Sequence, residues 1–77
     1  MNNLYTKREC DVIAKNVVYL TGKKGWSLSQ LSKETGISIT TLSLFVNRYK
    51  NLKVCNLQKV ADTLGTTLNE LVKKQYK

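Results

Sequence analysis

The chain has 77 residues, enough for one domain, with 13 Lys and Arg against 5 Asp and Glu and a formal charge of +8. Its apolar residues never run for the roughly 20 positions of a membrane-spanning helix, and the opening MNNLYTKREC lacks the apolar stretch of a signal peptide, so a cytoplasmic protein with no membrane partner is expected. With no histidine, and with Cys10 and Cys55 far apart, the sequence supplies no metal site and no base for a Ser or Cys nucleophile, which argues against an enzyme and against any cofactor.

A domain this small buries only about 60% of the surface its unfolded chain exposes, so its helices must pack well. Residues 1–5 are expected to form a short arm. Thr6 and Glu9 then make a Thr-x-x-Glu capping box, with Tyr5 and Cys10 in staple positions, and Cys10, Ile13, Val17 and Leu20 recur at helical spacing. Thr21 to Gly25 end this first helix, its lysines complementing the C-terminal dipole. Both cysteines fall on apolar faces of expected helices and read as buried free thiols.

A second helix is expected over Leu28–Thr35. Ser27 and Gln30 form a Ser-x-x-Gln box, Trp26 and Leu31 a staple, and Gly36 a left-handed stop. Ser38 starts a third helix at once, over Ile39–Arg48, with Ile37 and Leu42 as its staple. So short a connection makes two helices cross steeply and share a small core of Leu31, Ile37, Leu42 and Phe45, with Ser32 small at the closest approach. Residues 28–48 thus read as a helix-turn-helix, whose second helix can enter a DNA major groove.

Downstream, Arg48 to Lys53 form a basic loop. A fourth helix is expected from Val54 to Leu64, with Val54, Leu57, Val60, Ala61 and Leu64 inward and Asn51 or Asn56 as its cap. Gly65 turns the chain, and a Thr67/Glu70 box opens a fifth helix that buries Leu68, Leu71 and Val72 before a basic tail over residues 73–77. The fold class expected is all-α: residues 1–77 as one compact five-helix domain.

These residues resemble the Cro and phage-repressor helix-turn-helix domains, the XRE-like family, from about Val17 to Val72. Leu31, Ser32, Gly36, Ile37, Ser38, Leu42, Phe45 and Asn47 stand in the expected slots, and VADTLGTTLNELV resembles the segment joining the family's fourth and fifth helices. The resemblance implies a lambda-repressor-like fold. It also implies that Ile39, Thr40, Ser43 and Leu44 meet base edges, and that the loop after the third helix touches phosphates. The chain departs from the family where Leu28 replaces a phosphate-binding Gln, and where Thr21 and Val46 replace a paired Arg and Glu. Losing both members of an ion pair can be neutral, so the fold expectation stands.

The outward face of the third helix offers no Arg, Asn or Gln for bidentate base recognition, although Thr40 and Ser43 can hydrogen-bond and Ile39 suits thymine methyls. Two functions follow. The favoured one is a small sequence-specific regulator of phage-repressor type bound to double-stranded DNA, using Ser38, Ile39, Thr40, Ser43, Leu44 and Asn47 beside the cations Arg48, Lys50 and Lys53. The other is a modulator that docks on another transcriptional regulator through an apolar patch of Leu28, Ile39 and Leu44, with weak or no DNA binding. A homodimer is compatible with either, and no small-molecule ligand is implied.

Overall fold

The computed structural model describes residues 5–73, and among these it contains five helices and no strand. They are α1 (Lys7–Lys24), α2 (Leu28–Thr35), α3 (Ile39–Val46), α4 (Val54–Thr63) and α5 (Leu68–Lys73). None is long and apolar enough to cross a membrane. Tyr5, the last residue of the expected arm, packs against the core. The remainder of the arm, and the tail beyond Lys73, lie outside the described residues.

Local chemistry explains most of the boundaries. The Thr6 hydroxyl accepts from the Glu9 N–H at 3.1 Å, while the Glu9 carboxylate accepts from the Thr6 N–H at 2.8 Å, so both halves of the first capping box are made. The other two boxes are made only in half. Ser27 caps Gln30 N, but the Gln30 amide donates to Glu34 instead. Thr67 caps Glu70 N, while the Glu70 carboxylate accepts from the Thr66 hydroxyl. In each case the long side chain finds a partner along its own helix or just outside it.

α1 contributes Ile13, Ala14 and Val17 to the core, α2 Leu31, α3 Leu42 and Phe45, α4 Leu57, Val60 and Ala61, and α5 Leu71. α1 packs against α3 and α5, α2 against α3 and α4, and α4 against α5, so all five helices surround one centre. Two buried polar residues of α1 were not among the expected core positions. The Asn16 amide donates to the Leu71 carbonyl at 2.7 Å and ties α5 to α1 across 55 residues. The Thr21 hydroxyl turns back onto the Val17 and Val18 carbonyls, both at 3.0 Å.

Two expectations need correction here. Cys10 is buried, and burial, assisted by the carboxylates of Asp11 and Glu9, pushes its thiol pKa up. Cys55, however, is exposed. It precedes Leu57 by two positions, about 200° around the helix, so the register that buries Leu57 turns Cys55 outward. α4 begins at Val54 as expected, but neither Asn51 nor Asn56 caps it. Lys53 occupies the N-cap position with extended backbone and no side-chain hydrogen bond.

Candidate nucleic-acid interface

The turn between α2 and α3 is knotted by short side chains. Gly36 takes φ 78°, a conformation that costs glycine little, and closes α2. The Thr35 hydroxyl donates to the Leu31 carbonyl at 2.8 Å and accepts from the Ile37 N–H at 3.2 Å. Ser32 does more than leave space: its hydroxyl donates to the Ile37 carbonyl at 2.6 Å. Ser38 then caps α3 by accepting from the Thr41 N–H. Together these hydrogen bonds fix how α3 leaves α2, and Ile37 and Leu42 pin the crossing from inside.

With about 100° of rotation per residue, Leu42, Phe45 and Val46 occupy one arc of α3, and this arc faces the core. The opposite arc carries Ile39, Ser43, Thr40 and Leu44 in angular order. Ile39 is 44% and Leu44 37% exposed, and Thr40 is exposed, its hydroxyl without a hydrogen-bond partner among the described residues. Ser43 is half-buried, and the Asn47 amide donates to its carbonyl at 2.8 Å. Ser38 and Asn47 are exposed at the two ends of the arc. Leu28 does not join an exposed apolar patch, because it is half-buried against the core at the start of α2.

α3 stops two residues before the expected Arg48. The Arg48 N–H reaches the Phe45 carbonyl at 3.0 Å and the Tyr49 N–H the Leu44 carbonyl at 2.8 Å, the paired bonds of a Schellman motif. This motif demands a left-handed residue, and here it is Arg48, at φ 66°. The loop that follows presents Tyr49 at 81% exposure, with Lys50 and Lys53 also exposed. Leu52 lies in this loop but is buried, in the staple position opposite Leu57 of α4. That spacing in the sequence marks it as core.

The cations of the loop are not equivalent. Arg48 Nε lies 3.8 Å from Asp11 of α1, which also lies 3.8 Å from Lys7. Lys50 and Lys53 have no ion pair among the described residues. Lys24 sits over the Trp26 ring, 5.1 Å from its centroid, just before the start of α2. Where the resembled family carries a buried ion pair, Thr21 satisfies its own hydroxyl and Val46 packs on the core, so no charge is stranded. Tyr49, Leu52 and Asp11 are the residues of this region that the sequence left unassigned; a tyrosine between two cations was the visible signal for the first.

Comparison with known proteins supplies the remaining context. A helix-turn-helix family model matches residues 19–71, more than half of the chain. A curated relative described as a Neisseria hypothetical transcription factor, from Neisseria meningitidis serogroup B (strain ATCC BAA-335 / MC58), is 30% identical over 61 residues, or 79% of this chain. The chain spans 58% of that relative's length. The crystal structure of the hypothetical transcription factor NHTF from Neisseria superposes with a TM-score of 0.79 at 26% identity, covering 94% of this chain and 84% of that one. With the capped turn, the five-helix order and the matched segment in agreement, the chain belongs to the XRE-like helix-turn-helix family.

Proposed function

We propose that the protein is a small transcriptional regulator that binds double-stranded DNA by laying the outward face of α3 in the major groove. The observation that carries this reading is the joint placement of two features. An unburied arc of Ile39, Thr40, Ser43 and Leu44 runs directly into a loop that presents Arg48, Lys50 and Lys53. A major groove about 12 Å wide admits a helix, whose diameter with side chains is about 10–12 Å. The flanking cations then meet phosphates, the interactions that set register and orientation on a duplex. The Thr40 hydroxyl and the Asn47 side-chain carbonyl supply polar groups on the groove-facing side, and the role is binding rather than catalysis.

A second reading rests on the exposure of Ile39 and Leu44: these side chains dock on another regulator, and DNA binding is weak. The substitution Leu44→Arg separates the two. In a DNA reader it adds a cation beside the groove, so affinity for duplex holds or rises while sequence preference changes. In a protein-docking surface it puts an unpaired charge into an apolar interface and costs several kcal/mol of binding. Gel-shift on DNA flanking the protein's own gene, run beside pull-down of partner proteins with parent and variant, reads both. Retained duplex binding with altered preference is the expected result. Loss of a protein partner, with feeble DNA binding throughout, would transfer the function to the second reading.

A further inference from the structure

We infer that the domain reads its site through the C5-methyl groups of the bases, with Ile39 and Leu44 as the two residues that touch them. This rests on the proposed DNA-binding role and specifies its chemistry. α3, ITTLSLFV, carries no Arg, Lys, Asn or Gln, so the bidentate hydrogen bonds that distinguish guanine and adenine are absent from its outward arc. Asn47, the nearest amide, has its nitrogen turned back onto Ser43 at 2.8 Å. What the arc does offer is apolar surface at both edges. Ile39 is 44% and Leu44 37% exposed, on either side of Thr40 and Ser43.

The major groove has one apolar feature to match such a surface, the methyl group at C5 of thymine. Charge complementarity makes duplex DNA the occupant, since Arg48, Lys50 and Lys53 follow directly on this helix in a chain of net charge +8. The two apolar residues lie about 140° apart and roughly 7.5 Å along the helix axis, from five residues at 1.5 Å rise. At about 3.4 Å per base step they address methyls roughly two to three base pairs apart. Thr40, between them, donates to or accepts from whichever base lies there, and adds little discrimination.

The test selects duplexes from a random pool with the full chain at moderate salt. The selected duplex is then resynthesised with deoxyuridine replacing thymine one position at a time, which removes only the methyl group. Fluorescence anisotropy should show about a four-fold loss of affinity at two positions two to three base pairs apart, the equivalent of ~0.8 kcal/mol per buried methyl, and none at other thymines. Leu44→Ala should abolish the sensitivity at one of these positions and Ile39→Ala at the other; both residues are partly exposed, and circular dichroism checks that the variants remain helical. Uracil duplexes that bind as well as their thymine parents, or alanine variants that keep both sensitivities, would overturn the inference while leaving DNA binding intact. A chain that binds no duplex at all would overturn it together with the proposed function.

Discussion

Arg48 and Lys53 each occupy a backbone position that favours another residue type. Arg48 holds the left-handed position of a Schellman motif, where glycine is usual and an L side chain costs about 1–2 kcal/mol. Lys53 stands at the N-cap of α4, where Ser, Thr, Asp or Asn would satisfy a free N–H, and its charge opposes the helix dipole. Departures from local preference cluster where a surface has another task, and both departures here are cations of the proposed phosphate-binding loop. Arg48→Gly and Lys53→Asp are therefore each expected to raise stability by about 1 kcal/mol and to weaken DNA binding at all sequences alike. Urea unfolding followed by circular dichroism, paired with anisotropy on one duplex, checks both signs. Substitutions that lowered stability would show that the two side chains serve the fold instead.

At the scale of elements, α5 is the least self-sufficient. It has six residues, far fewer than an isolated helix needs, and relies on the fully buried Leu71 and on the Asn16 amide that donates to the Leu71 carbonyl at 2.7 Å. Asn16→Ala leaves that carbonyl without its donor and should cost about 1–3 kcal/mol, read as a lower urea midpoint with the transition still cooperative. An unchanged midpoint would mean that apolar packing alone holds α5. Asn16 illustrates what the sequence hides. The caps at Thr6, Ser27, Ser38 and Thr67, the stop at Gly36 and the apolar spacing were all legible, because each involves neighbours within four residues. A bond across 55 residues leaves no such local trace. The early end of α3 and the uncapped start of α4 escaped for a related reason, since the loop between them is set by the buried Leu52 and the long-range core it joins. Within the candidate interface, the outward residues of α3 could be named from periodicity, whereas the half-burial of Leu28 and the approach of Asp11 to Arg48 depend on how α1 and α2 pack.

For the molecule as a whole, the fold leaves the outward residues of α3 exposed with the helix-turn-helix core beneath them, and the exposed basic loop leads from α3 into α4. A net charge of +8 on so small a body favours polyanions from any direction, whereas in the proposed complex the particular cations beside α3 decide how it sits once there. In that proposed role Arg48 comes with a competitor: Asp11 lies 3.8 Å away and would have to yield its partner to a phosphate. Exposed pairs of this kind are worth little, so the exchange is easy and Arg48 remains available. General attraction by the whole charge is thus distinct from the anchoring proposed for Arg48, Lys50 and Lys53.

The most direct measurement is the salt dependence of duplex binding by the parent chain and by a variant with Arg48, Lys50 and Lys53 all changed to Ala. Each neutralised phosphate contributes about 0.9 to the slope of log K against log salt. If these three cations anchor the duplex as proposed, removing them together should flatten the slope by about 2.7 and weaken binding to every sequence tested. A triple variant that binds with the parent's affinity and slope would contradict this, because the loop beside α3 would then be no part of the interface.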